Sequence, residues 1–272
     1  MVTSTVSNTD RLMPSLALGP DSLYYDDRGQ GPAVVFLHGL GQTAGDWKPQ
    51  LDHFAADHRV IAIDALGHGQ SSKPKGPYSI ARMAGLTADL IRKTVGGPAH
   101  VVGLSMGGMI AFQLALDAPD TVGTLTIVNS GPHAVPRGFA EWFALNSRIA
   151  IVKWFGMRKM AEILAPRLFP DDAAKRAAFI EGLVANDRDA YLASLRAIIG
   201  WTVQDRIGRI TAPTLVVASE LDYTPPERKE QYVRLMPNAK MVIVPDTHHG
   251  LPAEDPETFN AVLADYLSVR PI

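Results

Sequence analysis

Six short apolar runs constrain this chain more than any other feature. They are Ala33-Val34-Val35-Phe36-Leu37, Val60-Ile61-Ala62-Ile63, His100-Val101-Val102, Thr124-Leu125-Thr126-Ile127-Val128, Thr214-Leu215-Val216-Val217-Ala218 and Lys240-Met241-Val242-Ile243-Val244. A strand with one wet face alternates polar with apolar residues. These runs are rich in β-branched residues and do not alternate, which is how strands buried on both faces of a parallel sheet read. Leu23-Tyr24-Tyr25 adds a shorter strand ahead of Asp26-Asp27-Arg28-Gly29. Between the runs lie stretches with helical spacing. Ile80 to Lys93 carries apolar residues at Ile80, Met83, Ala84, Leu86, Leu90 and Ile91, and Met106 to Leu116 and Pro256 to Leu267 are further helices. Pro119 and Gly96-Gly97-Pro98 stand where helices should stop. Strands alternating with helices predict an α/β fold, a sheet with helices on both faces.

One segment breaks the rhythm. From Pro132 to Asp205 no strand is evident and the patterns are helical, most clearly over Arg137 to Gly156 and Asp171 to Gly200. Trp142, Trp154 and Trp201 lie in it. The predicted organisation is a core domain of residues 1–131 and 206–272, with residues 132–205 inserted between two strands as a helical subdomain.

Composition narrows the chemistry. With 46% hydrophobic and 20% charged residues over 272 positions, the chain is neither disordered nor fibrous. It has no cysteine, which excludes disulfides, iron–sulfur clusters, thiolate metal sites and cysteine nucleophiles. Lys plus Arg is 26 against 28 Asp plus Glu, a net charge of −2 that argues against a nucleic-acid partner. No apolar run approaches the ~18 residues of a membrane span, so no membrane partner is expected. Met1 to Asp10 is polar and lacks an apolar signal core, and residues up to about 15 are rich in Ser, Thr and Asn. A disordered start and a cytoplasmic location are the default expectations.

Gly103-Leu104-Ser105-Met106-Gly107 matches G-x-S-x-G between a buried run and a predicted helix. Such a strand-to-helix turn is tight, and glycines at 103 and 107 remove side chains where the two elements meet. Ser105 then projects from the carboxyl end of its strand. The Met106 amide, at the start of the helix, faces the place where negative charge would develop on an attacked carbonyl. The bland alternative is a glycine-rich turn without a catalytic serine.

With this elbow, His38-Gly39-Leu40-Gly41, Asp64-Ala65-Leu66-Gly67-His68-Gly69-Gln70-Ser71, Ser219-Glu220-Leu221-Asp222 and His248-His249 followed by Glu254-Asp255-Pro256-Glu257 occur in a fixed order. In that order the chain resembles the α/β-hydrolase fold superfamily from about Leu23 to Gly131 and from Arg206 to Leu267. The resemblance implies a mostly parallel eight-stranded sheet flanked by helices, with the insertion as a cap. It implies Ser105 as nucleophile and a base after the last strand. His249, five residues before Glu254, takes that role, and His248 is then read as a solvent-facing loop histidine. The acid follows the strand after the insertion: Asp222, with Pro226 four later, fits, and Glu220 is the weaker alternative. Some members carry the acid one strand earlier, where this chain has Asn129-Ser130. The second oxyanion donor becomes the Leu40 amide. His38, Asp64 and Ser71 are mostly structural in the family. Trp47 is divided between lining the pocket and anchoring a helix.

The implied activity is serine hydrolysis of a small carboxylic ester or lactone, with no metal or organic cofactor. Haloalkane dehalogenases and epoxide hydrolases carry an aspartate at the elbow, so Ser105 argues against both. Enol-lactone hydrolases, cofactor-free haloperoxidases or perhydrolases, and non-catalytic small-molecule receptors on the same fold are the alternatives. Aromatic residues of the insertion, Trp142 and Trp154 among them, are candidate substrate contacts. Between residues 137 and 168, Arg137, Arg148, Lys153, Arg158, Lys159 and Arg167 face only Glu141 and Glu162 in number. A solvated basic face is the preferred reading and a carboxylate-bearing substrate the alternative. Oligomeric state is not legible.

Overall fold

The computed structural model describes residues 14–270; the expected disordered start lies mostly outside the described residues. Eight strands form one sheet: β1 (Ser15–Leu18), β2 (Asp21–Arg28), β3 (Ala33–Leu37), β4 (Arg59–Ile63), β5 (Ala99–Leu104), β6 (Val122–Val128), β7 (Thr214–Ser219) and β8 (Ala239–Val244). Their order is β1-β2-β4-β3-β5-β6-β7-β8. β1 and β2 run antiparallel to their neighbours, and every pairing from β4 to β8 is parallel.

The helices are α1 (Lys48–Phe54), α2 (Ile80–Thr94), α3 (Met106–Asp117), α4 (Phe139–Leu168), α5 (Ala173–Val184), α6 (Arg188–Ile198), α7 (Pro226–Val233), α8 (Leu251–Glu254) and α9 (Pro256–Ser268). Among the described residues none is long and apolar enough to cross a membrane.

Period-two geometry explains why the central runs do not alternate. Val35 and Leu37 of β3 join Ile61, Ile63, Val101 and Ile127 in a core beneath α2 and α3. Val34 and Phe36 point the other way, with Val60, Ala62 and Val102, into a core closed by Trp47, Leu51, Phe259 and Leu263. Both faces are therefore dry, and both sets of side chains must be apolar. Burying a residue of this size contributes roughly 1.5–3 kcal/mol.

The predicted strands and three predicted helices match these elements to within a few residues, with two corrections. Lys240 to Val244 is not buried on both faces: β8 is the edge strand, and Ile243 is exposed. The resemblance implies eight strands, but the short antiparallel β1 was not placed in the sequence, because four residues carry too little pattern to separate from a loop. α1 and α7 also go unannounced, being short helices of seven and eight residues.

The segment between β6 and β7 forms α4, α5 and α6, with a single isolated bridge, His133 to Thr202. α4 is two helices joined at Gly156, whose φ of 82° turns the chain sharply. A small core of Val152, Met157, Met160, Leu183, Tyr191 and Leu195 holds the helices together. Asn186 ties them to the loop after β3 by donating to the Gly41 carbonyl at 2.7 Å.

Candidate active site

The carboxyl ends of β3, β5, β6 and β7 meet under the inserted helices, around a cavity of about 480 Å³. Ser105 lies on its wall. It sits between β5 and α3 with φ 54° and ψ −114°, a left-handed conformation rare in non-glycine residues. Surroundings force it there. The Ser105 N–H donates to the Val128 carbonyl at 3.0 Å, and the Ser105 carbonyl accepts from the Ser130 hydroxyl at 2.6 Å. A Cβ at Gly103 would stand 2.3 Å from the Gly107 carbonyl oxygen, and one at Gly107 would stand 2.0 Å from that of Leu37. Only glycine permits this approach of helix to strand.

His249 follows β8 and shares the cavity wall. Its Nδ1 donates to Asp222 Oδ1 at 2.8 Å, which leaves Nε2 as an acceptor. Nε2 accepts from the Tyr223 hydroxyl at 2.6 Å, and the Tyr223 ring lies over the imidazole with centroids 4.1 Å apart. The same hydroxyl interacts with the Ser105 side chain. Half of Tyr223 is exposed, but its hydroxyl end is buried, and burial pushes the phenol up to about 12. It stays protonated and donates.

Asp222 has a second partner. Lys229, on α7, is fully buried and donates to Asp222 Oδ2 at 2.6 Å and to the Thr224 carbonyl. Burial alone would raise the Asp222 carboxyl, but His249 and Lys229 outweigh it and hold it below the usual carboxylate range. Burial lowers the Lys229 ammonium against the pull of Asp222. The order Lys229, Asp222, His249, Tyr223 is thus one buried hydrogen-bonded chain.

Asn129, at the position where relatives of this fold can carry the acid, stitches three elements together. With φ 44°, its side chain donates to Ser219 Oγ at 2.8 Å and to the His249 carbonyl at 3.1 Å, and accepts from the Ser219 N–H at 2.8 Å. It anchors the histidine loop to the ends of β6 and β7.

Leu40 and Met106 flank Ser105 on the cavity wall. The His38 loop is held as a scaffold. Nδ1 of His38 donates to the Gly39 carbonyl at 2.7 Å and Nε2 accepts from the Ala65 N–H at 3.0 Å. Asp64 accepts from the Ala44 and Gln70 amides at 2.6 and 2.7 Å, and Ser71 Oγ donates to the Asp64 carbonyl. Glu220 is away from the imidazole and accepts from the Asp246 N–H.

Several expected contacts are not made. Trp47 is 2% exposed and packs on Phe36 and Phe259, with ring centroids 4.9 and 6.2 Å away, in the core rather than the cavity. Trp142 and Trp154 do not line the cavity either: Trp142 stacks on Phe139, and Trp154 is 81% exposed. The reason is helical phase. Glu141, Ala144, Leu145 and Arg148 line the cavity at three- and four-residue spacing, so Trp142 faces outward. His248 is not a solvent-facing loop residue: its Nδ1 and backbone N–H pair with Glu254 at 2.7 and 2.6 Å.

Burial also makes the histidines of the scaffold an acid trigger. It pushes the His38 and His100 imidazoles down to about 4, and burial with the neighbouring His38 pushes His68 to about 3. In the unfolded chain each returns to 6.5. Near pH 5 the unfolded state therefore binds about three more protons at these sites than the native one. Their contribution is complete above pH 6.5 and is lost as pH falls toward 4. Urea unfolding from pH 7 to 4.5 should show stability dropping with that slope; a flat dependence would overturn the assignment.

The sequence matches the alpha/beta hydrolase family over residues 34–262. The chain belongs to that family. It is a hydrolase, as relatives that match nearly its whole length are by name. A protein of Azorhizobium caulinodans, provisionally named carbamate hydrolase RutD, is 30% identical over 268 residues, covering 93% of this chain and 98% of its own. The enol-lactonase of Burkholderia xenovorans LB400 superposes with a TM-score of 0.85 at 25% identity, covering 94% and 100%. A thermophilic esterase of Thermogutta terrifontis gives 0.84 at 26% identity, covering 93% and 95%.

Sequence reasoning missed Tyr223, Lys229 and Asn129 as parts of the site. Tyr223 is adjacent to Asp222, so its place was within reach. Lys229 carries no signal, since a lysine on a short polar helix reads as surface until the fold buries it.

Proposed function

We propose that this hydrolase cleaves small carboxylic esters or lactones through Ser105, His249 and Asp222, with residues 132–205 as the cap. The observation that carries this reading is the strained Ser105 turn opening on the same cavity as a histidine already paired with a buried carboxylate. A serine hydroxyl needs an adjacent base to attack near neutral pH. Its proton passes to Nε2 of His249, with the Tyr223 hydroxyl on that path in the free enzyme. The Ser105 oxygen bonds to the carbonyl carbon, and the Leu40 and Met106 amides donate to the oxyanion. Collapse expels the alkoxide, which takes the proton from His249, and leaves an acyl-serine. Water, deprotonated by His249, then attacks the acyl carbon; the bond to the Ser105 oxygen breaks, that oxygen takes the proton back from His249, and the acid is released.

Asp222 fixes the Nδ1–H tautomer and balances the imidazolium in each step. Enol-lactone hydrolysis is the second reading, supported by the likeness to the Burkholderia enol-lactonase. Carbamate cleavage, named in the Azorhizobium relative, would use the same attack on a carbonyl.

Labelling with a fluorophosphonate tests the reading. The wild-type protein should be modified at Ser105 alone and should turn over members of a panel of short esters, lactones and enol lactones. Lack of labelling, with no ester or lactone cleaved, would reject it in favour of a ligand-binding role.

A further inference from the structure

The wall of the cavity carries more positive charge than it balances. Lys229 is matched by Asp222 at 2.6 Å, and Arg228 by Glu141 at 2.9 Å. Glu141 is the one acid on the wall, and it also accepts the Arg137 backbone N–H. Arg148 has no acid and no hydrogen-bond partner among the described residues. It is partly buried, on the α4 face that lines the cavity, one helical turn beyond Ala144 and Leu145.

Its charge also reaches the reacting end of the cavity. After burial, Arg148 is the largest influence on the Tyr223 hydroxyl, which bonds to Nε2 of His249. The other bases of the insertion behave differently. Arg137 and Arg167 also line the cavity, but both are exposed, and Arg137 reaches His133 Nε2 at 3.4 Å. Arg158 pairs with Glu181 and Lys159 with Glu162 on the exposed outer surface, and Lys153 is exposed. A solvated basic face, the preferred sequence reading, describes those residues and not Arg148.

A guanidinium on a cavity wall, with no acid of the protein to pair with, is available to an incoming anion. We propose that Arg148 is the anchor for a carboxylate on the substrate, so that the ester or lactone opened at Ser105 is an anionic one. A guanidinium fork meets a planar carboxylate with two parallel hydrogen bonds, which sets orientation as well as affinity. In the cavity this would place the scissile carbonyl toward Ser105 and the carboxylate toward α4. The inference rests on the hydrolase reading above for the cleavage, and on Arg148 alone for the choice of substrate.

Two measurements test it. The first compares monomethyl succinate, glutarate and adipate with their dimethyl esters, and acetoxyacetate with its methyl ester, so that the carboxylate sits on either side of the scissile bond. For at least one pair, wild-type kcat/KM should favour the anion by about tenfold or more, carried by KM. Arg148→Gln should bring that ratio to about one by raising KM on the anionic ester, and Arg148→Lys should keep part of it. The second titrates succinate, glutarate and adipate into wild-type and Arg148→Gln protein by calorimetry, which needs no turnover. At least one diacid should bind about tenfold more weakly to the variant. Neutral esters cleaved with no anionic preference, or diacids binding both proteins alike, would overturn the role of Arg148 and leave the hydrolase reading intact. Diacid binding that depends on Arg148, with no ester cleaved, would reject the hydrolase reading and keep the anion site.

Discussion

Ser105→Ala should lower kcat on any ester that the protein turns over by about 10⁴–10⁶-fold, with the fold unchanged. The substitution removes one oxygen from the turn. The backbone bonds that hold the turn, from the Ser105 N–H to Val128 and from Ser130 to the Ser105 carbonyl, do not involve the hydroxyl. The Leu40 and Met106 amides and the cavity also stay, so a residue of catalysis of about 10³–10⁴ over water is expected to survive. Steady-state kinetics on repurified protein, with circular dichroism as the fold control, measures it. A variant that keeps more than a tenth of wild-type kcat would mean that another group makes the attack.

Gly107→Ala should be the most damaging small substitution in the chain, costing at least about 4 kcal/mol or preventing folding. Its Cβ would stand 2.0 Å from the Leu37 carbonyl oxygen and 2.9 Å from that of His38. Neither can retreat, since β3 is clamped between β4 and β5 by parallel ladders. Relief requires α3 to lift away from β3, and Ser105 is carried at its first turn. Gly85→Ala on the exposed side of α2 is the matched control: a Cβ there meets nothing within 4 Å. It should gain up to about 1 kcal/mol from helix propensity. Urea unfolding of the two variants decides the matter, and a Gly107→Ala protein within about 1 kcal/mol of wild type would show that the helix is not packed on β3 as described.

The elements at the centre of the sheet were legible because their pattern comes from burial on both faces, which no neighbouring segment can alter. The edges were not. β1 has four residues and β8 is half exposed, so their composition follows local contacts more than layer position. In the site, Ser105, Asp222 and His249 were picked out by motif order, and in the structure His249 is bonded to the buried Asp222 while Ser105 shares the cavity wall with His249. The tryptophans show the limit of composition. Trp47 satisfied the core between β3 and α9, and Trp142 took the outward phase of α4, although by residue type both were candidate substrate contacts.

What sequence alone determined was the layered α/β architecture, the inserted helices and the candidate residues at the strand ends, because apolar periodicity and glycine-tight turns are local properties of the chain. Tertiary structure decided that Lys229 is buried on Asp222, that Tyr223 covers the imidazole, and that Arg148 points into the cavity. Those depend on how α4, α7 and the loops after β7 and β8 dock at the strand ends, which periodicity along the chain does not encode.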